Sequence, residues 1–215
     1  MSQPVLNEIL SNGLRQLNLA QPLDEKQHSK LIKYVELLVK WNKTYNLTAV
    51  RKPEQMVTRH LLDSLSICPY LRGKRVLDVG TGAGLPGIPL AIVFPERQFT
   101  LLDSNNKKTR FVVQAVSELE LSNVDVVQSR VEEYKPDASF DTITTRAYSA
   151  IGGMVEQTSH LMANDGVFLA MKGINPVAEI DGLPSNYVVN QSLEIKVPGL
   201  EEERHLLEIK IKGAV

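Results

Sequence analysis

The run Asp78-Val79-Gly80-Thr81-Gly82-Ala83-Gly84-Leu85-Pro86-Gly87 follows a short apolar stretch, Arg75 to Val79, and leads into a helical pattern. Glycine at such a turn lets the backbone take positive φ and lets a ligand approach the main chain, with the N–H groups of the helix N-terminus facing it. Gly82, Gly84 and Gly87 satisfy the dinucleotide spacing G-x-G-x-x-G, which alone is a weak signal. Its context strengthens it. Asp103 ends the next apolar run, 19 residues beyond Gly84, where a carboxylate accepts both hydroxyls of a ribose. Val131 and Glu132 follow a third run, placed for a backbone N–H and a carboxylate to read an adenine edge. Arg146 closes a fourth, on the edge where ligands of open α/β sheets bind. Its guanidinium has the planar fork that holds a ligand carboxylate bidentately. Lys172 ends a fifth run.

The elements that must position these groups read in two parts. Residues 1–71 form a helical preamble packed on the core. Val5, Leu6, Ile9, Leu10, Leu14 and Leu17 lie at helical spacing, and Asp24 is placed to cap a second helix carrying Leu31, Ile32, Val35, Leu38 and Val39 on one face. Pro53 suits the first turn of a third helix with Met56, Val57, Leu61, Leu65 and Ile67. From Arg75 short apolar runs alternate with helical patterns, the latter over 106–120 and 151–163, ending in GVFLAMKG. This is the rhythm of a Rossmann-like α/β domain with a mainly parallel sheet, here over 72–215. Two strand-like runs, YVVNQSLEIKV and ERHLLEIKIKG, close the chain without a helix between them and predict an antiparallel C-terminal edge.

At 215 residues and 43% hydrophobic, the chain supports one core with an appendage. Its single cysteine, Cys68, reads as buried filler, and the N-terminal residues lack the pattern of a secretory leader, so a cytoplasmic location is expected, with no membrane partner. No His/Cys cluster has metal-ligand spacing, so no metal is expected. The net charge of −1 hides an asymmetry: residues 40–110 hold 12 Lys or Arg against 5 Asp or Glu. That window predicts a phosphate-binding surface, and Lys40, Lys43, Arg51, Arg59, Lys107, Lys108 and Lys172 are the candidate RNA contacts. Trp41 and Tyr45, four apart on a helix, suit base stacking, although core packing is the commoner use of such a pair. His60 reads equally as a phosphate contact or a structural histidine.

The run D-x-G-x-G-x-G resembles motif I of class I S-adenosylmethionine-dependent methyltransferases, in which the cofactor's methionine part lies over the glycines. Together KWNKTYNLT, RHLLDS, DVGTGAGLPGIPLAI, LLDS, QSRVEE, the Arg146 segment and ERHL resemble the small-subunit ribosomal RNA methyltransferase G family over nearly the whole chain. The resemblance implies methyl transfer to N7 of one guanine in the decoding-region loop of 16S ribosomal RNA; the expected partner is that RNA within a small-subunit particle, with naked RNA, an assembly intermediate and the mature subunit all open as substrate, and a monomer is expected. It also implies S-adenosyl-L-methionine as cofactor, contacted by Gly80, Leu85, Asp103, Val131, Glu132 and Arg146, with Gly82 and Gly84 in the same loop. Arg146 is the catalytic candidate.

Acceptor chemistry points the same way. A base-carbon acceptor usually needs a cysteine nucleophile, and Cys68 lies in the preamble. Exocyclic-amine enzymes resemble an Asn/Asp-Pro-Pro-Tyr type and ribose enzymes a Lys-Asp-Lys-Glu set, whereas this chain has Thr144-Thr145-Arg146-Ala147. A ring nitrogen with a free lone pair remains, for which the protein need only align the reactants. The alternatives are a nonenzymatic RNA-binding ribosome-assembly factor and an NAD-dependent oxidoreductase.

Overall fold

A computed structural model describes residues 3–17, 19–146, 150–174 and 177–213; Ala147 of the strand-end segment lies outside them. The preamble begins with α1 (Gln3–Leu17) and α2 (Glu25–Tyr45). Asp24 caps α2 reciprocally: Gln27 N donates to Asp24 Oδ1 at 2.7 Å, and Asp24 N donates to Gln27 Oε1 at 3.0 Å. This satisfies two of the donors that a helix start leaves orphaned. Asn46, at a φ of 49°, ends the helix in the left-handed region that asparagine tolerates better than most residues.

The third preamble helix departs from the expected uninterrupted pattern. It is α3 (Pro53–Met56), then a π-helical turn (Val57–Leu62), then α4 (Asp63–Leu65). With the wider turn, Val57, Leu61, Leu62 and Leu65 all reach the core, and His60 and Asp63 are buried with them. Burial of those two polar side chains is what hydrophobic periodicity could not register.

The domain that follows runs β1 (Arg75–Val79), α5 (Gly87–Val93), β2 (Gln98–Asp103), α6 (Asn106–Glu118), β3 (Val124–Gln128), β4 (Phe140–Thr145), α7 (Ile151–Thr158), β5 (Met162–Lys172), α8 (Val177–Ile180), β6 (Tyr187–Glu194) and β7 (His205–Ile211). These strands form one sheet in the order β3-β2-β1-β4-β5-β7-β6. The first five pair in parallel, and β7 runs antiparallel to both β5 and β6. The expected antiparallel edge is present, with the last strand inserted inside the one that precedes it. Two helices stop short of their expected ends. α6 ends at Glu118, before Glu120 takes a φ of 51°. α7 ends at Thr158 and a single 3-10 turn, because Met162 is already paired with Phe140 in the sheet.

Side chains alternate across the pleat, so Val76 and Leu101 face one helical layer while Leu77 and Leu102 face the other. On the first face the sheet and α5 share a continuous core with Leu10, Leu31, Val35 and Leu61 of the preamble. On the second, Ile151, Met154 and Val155 of α7 cover the strands. Connections from β1 go one way to β2 and β3 and the other way to β4 and β5. Ligands of open α/β sheets bind at such a switch point, at the carboxyl ends of the strands.

Candidate functional site

Between β1 and α5 the glycine loop folds back onto β2. The N–H groups of Gly80 and Thr81 donate to the Leu102 carbonyl at 2.8 and 3.0 Å. Gly80 has a φ of +67°, and a Cβ built on it would meet nothing within 4 Å, so one face of its backbone is open to a ligand. At Gly87 the constraint is opposite. A Cβ there would come 2.1 Å from Leu101 Cδ2 and 2.8 Å from Asp78 Oδ2, so only glycine lets α5 approach the sheet.

Asp78 is the pin of this loop. Its Oδ2 accepts from Thr81 Oγ1 at 2.6 Å and from Gly87 N at 2.9 Å, while the buried Oδ1 has no partner. Complete burial pushes its pKa up to about 6, against the pull of those two hydrogen bonds and of Arg146. Tyr34 of α2 reaches the loop from the preamble and donates its hydroxyl to the Ala83 carbonyl at 2.6 Å.

Asp103, at the end of β2, accepts from Gly82 N at 2.9 Å through Oδ2 and from Asn105 N at 2.8 Å through Oδ1. Lys108 Nζ stands 3.9 Å from Oδ2. Each oxygen keeps lone-pair capacity beyond one backbone bond. Gly80, Asp103, Val131 and Glu132 line a cavity of about 200 Å³ together with Ser104 and Arg130, Val131 and Glu132 entering on the 3-10 turn after β3. Gly82 joins this group through its bond to Asp103. Gly84 and Leu85 do not line the cavity; their N–H groups donate back to Thr81 O at 2.9 Å.

A second cleft, of about 300 Å³, opens at the ends of β4 and β5 between Val50, Arg59, Asp63, Arg146, Lys172 and Arg204. Arg146 Nη1 donates to the Arg59 carbonyl at 3.2 Å and lies 3.4 Å from Asp63 Oδ2, and Arg204 Nε donates to Asp63 Oδ1 at 3.0 Å. Burial raises the Asp63 pKa, and the two guanidinium groups oppose the rise. His60, also on this wall, bonds Thr48 Oγ1 through Nε2 at 2.9 Å. Burial first, and then the charge of Arg146, lowers its pKa to about 4, which favours the neutral ring at pH 7.

The candidate RNA contacts divide. Lys40, Lys43 and Lys107 are exposed and line neither cavity. Arg51 caps the end of α2, donating to Asn42 O at 3.3 Å and Asn46 Oδ1 at 2.9 Å. Arg59 pairs with Glu202, Lys172 Nζ is 2.7 Å from Glu179 Oε2, and Lys108 is turned toward Asp103. Trp41 is half-buried against the core, with Phe111 at 5.6 Å between ring centroids, and it stacks at 5.1 Å on Tyr45, which is exposed. Sequence reasoning assigned no role to Tyr34, Asp63 or Arg204. The last two stood inside the RHLLDS and ERHL segments, but only the fold brings those segments together. A larger cavity, about 620 Å³, lies at the opposite edge beside Leu19, Cys68, Phe94 and Arg97 and holds none of the site residues. Among the described residues no three His, Cys, Asp or Glu side chains are grouped to hold a metal ion, and no helix is long and apolar enough to cross a membrane.

Comparison with known proteins places this geometry. The family described as rRNA small subunit methyltransferase G matches residues 27–207. A ribosomal RNA small subunit methyltransferase G from Ectopseudomonas mendocina is 52% identical over 205 residues, covering 94% of this chain and 95% of the relative. One of the same description from Chromobacterium violaceum is 53% identical over 204 residues, covering 94% and 97%. In fold, the chain is similar to a SAM-dependent methyltransferase from Aquifex aeolicus, with a TM-score of 0.57 at 18% identity over 77% of this chain and 97% of that one.

Proposed function

Since the chain belongs to the rRNA small subunit methyltransferase G family, we propose that it transfers a methyl group from S-adenosylmethionine to N7 of one guanine in the decoding-region loop of 16S ribosomal RNA. The observation that carries this reading is the adjacency of two sites at one sheet edge. One is a cavity floored by the glycine loop and Asp103, the other a cleft lined by Arg59, Arg146, Lys172 and Arg204.

The residues present fit the cofactor. The open backbone face at Gly80 admits its methionine part, Asp103 accepts from the ribose hydroxyls, and Val131 and Glu132 border the adenine. Bound there, S-adenosylmethionine supplies an electrophilic methyl group. A nicotinamide enzyme would need a substrate domain beyond β5; the described residues there form α8, β6 and β7, and both strands belong to the same sheet.

Guanine N7 carries an in-plane lone pair that is unprotonated at neutral pH, so no general base is needed. The protein's task is to orient the base and exclude water. Arg146 serves that task, while Lys172, held by Glu179, has no proton to accept. Exposed Lys40, Lys43 and Lys107 extend the cationic surface toward the RNA backbone. The protein works as a cytoplasmic monomer on a small-subunit particle.

Incubation with labelled S-adenosylmethionine and 16S RNA, free or within 30S particles, followed by nucleoside mass spectrometry, tests the reading. Label in 7-methylguanosine is the expected result. Label on N2, on a 2′-oxygen or on a pyrimidine carbon overturns it.

A further inference from the structure

In a regular α-helix the N–H of Asp63 would bond the carbonyl four residues back, that of Arg59. The π turn sends it instead to the carbonyls of Thr58 and His60. The Arg59 carbonyl is taken by Arg146 Nη1 at 3.2 Å, from the end of β4. Asp63 Oδ2 lies 3.4 Å from the same nitrogen, and Oδ1 accepts from Arg204, just ahead of β7, at 3.0 Å. One carboxylate, 3% exposed, therefore stands between two arginines delivered by distant segments, and a backbone carbonyl freed by the helix distortion holds one of them from behind.

A buried ion triad of this kind is weak evidence for a stabilising role. Desolvating a carboxylate and two guanidinium groups offsets most of their mutual attraction, and a well-packed apolar trio often serves a fold as well. What the ion triad adds is orientation, because a planar guanidinium held at one edge presents its remaining donors in a set direction.

Orientation matters here for a chemical reason. The commonest contact of arginine with guanine is bidentate, to O6 and N7 together. An arginine free to adopt it would cover the lone pair that must receive the methyl group. π-bulges are frequent at functional sites, and this one supplies an acceptor that a regular helix would have used internally.

We propose that Asp63, with the Arg59 carbonyl exposed by the π turn, is a positioning residue: it restrains Arg146 and Arg204 so that they hold the acceptor guanine while leaving N7 uncovered. The proposal rests on the reading of the chain as a guanine-N7 methyltransferase. Releasing the arginines should produce tight but nonproductive binding.

Steady-state methylation of 16S RNA by Asp63→Asn tests it. The expected result is a kcat lowered at least about tenfold with an RNA KM unchanged or lower. S-adenosylmethionine affinity, by calorimetry, should stay within about twofold of wild type. In an Arg146→Gln background Asp63→Asn should cost less than it does alone, since the part of its effect that acts through Arg146 is already lost and only the hold on Arg204 remains. A kcat within about twofold of wild type, a loss expressed wholly as a raised KM, or a fully additive double variant overturns the proposal. If Asp63→Asn does not accumulate as folded protein, Arg146→Lys carries the test, because lysine keeps the charge and loses the planar fork. The same fall in kcat without a rise in KM is expected, and a kcat within about twofold of wild type overturns it. Wild-type protein that places no methyl group on N7 refutes the functional reading itself, whereas active wild type with an indifferent Asp63→Asn refutes only the positioning role.

Discussion

The Tyr34 hydroxyl donates to the Ala83 carbonyl at 2.6 Å, a buried bond that ties the preamble to the glycine loop. Both residues are buried, so no water stands ready to replace the donor. Tyr34→Phe leaves the Ala83 carbonyl unsatisfied, at a cost of about 1–3 kcal/mol. Denaturant unfolding should register that loss, and the same variant should bind S-adenosylmethionine more weakly in calorimetry. A preamble that merely covered the sheet would give the first effect without the second.

Asp103 has two duties. Its oxygens hold Gly82 N and Asn105 N, and on the proposed reading they also accept from the ribose. Asp103→Ala is therefore expected to lower cofactor affinity by about 1.5–3 kcal/mol for each charge-assisted bond removed, or at least about tenfold. Titration calorimetry measures it directly, and unchanged affinity would remove Asp103 from the site.

Two buried groups oppose one another in acid. Asp78, with its pKa raised from 3.8 to about 6, is protonated in the folded state where the unfolded chain is ionised. Its contribution to stability is greatest below about pH 4 and falls as pH rises through 6. His60, lowered from 6.5 to about 4, is neutral in the folded state where the unfolded chain is charged, so its contribution grows as pH rises through the same window. Each effect amounts to about 3 kcal/mol, and between pH 4 and 6 their slopes have opposite sign. These two contributions therefore largely offset one another there in the wild type. Asp78→Asn should unmask a loss on acidification, and His60→Gln a gain; chemical denaturation at stepped pH reads both.

Exposed lysines should set the salt dependence of RNA binding. Lys40→Glu with Lys43→Glu is expected to flatten the log–log slope by about 0.7 for each single-strand phosphate that is no longer neutralised. Arg51 is the wrong control, since it caps α2 and its loss would be confounded by unfolding. A double variant with the wild-type slope would show that this surface does not meet RNA.

Much of this architecture was legible because it is local. The Asp24 cap, the Pro53 start, the glycine turn and the strand-terminal Asp103 all announce themselves within a few residues. The π turn did not, since Val57, Leu61 and Leu65 keep helical spacing whether the ladder closes at four residues or five. Nor could Asp63 and Arg204 be read as partners across 141 residues. Their meeting depends on β7 lying against β5, a choice that two similar strand-like runs leave open. Lys108 shows the same limit: its charge counts toward a basic surface in the sequence, and only the fold reveals Asp103 3.9 Å from its Nζ.

The sheet order also dictates a timetable. Synthesis proceeds from β1 toward β7, yet β7 lies between β5 and β6 and, among the described residues, supplies the only sheet neighbour that β6 has. Until β7 leaves the ribosome, β6 has no edge to join and β5 presents an unpaired one. Arg204 immediately precedes β7, so Asp63 is buried beside Arg146 alone until the last strand arrives. Arg59, Asp63 and Arg146 are all synthesised before Arg204, so the two-arginine cleft is complete only with the last strand in place.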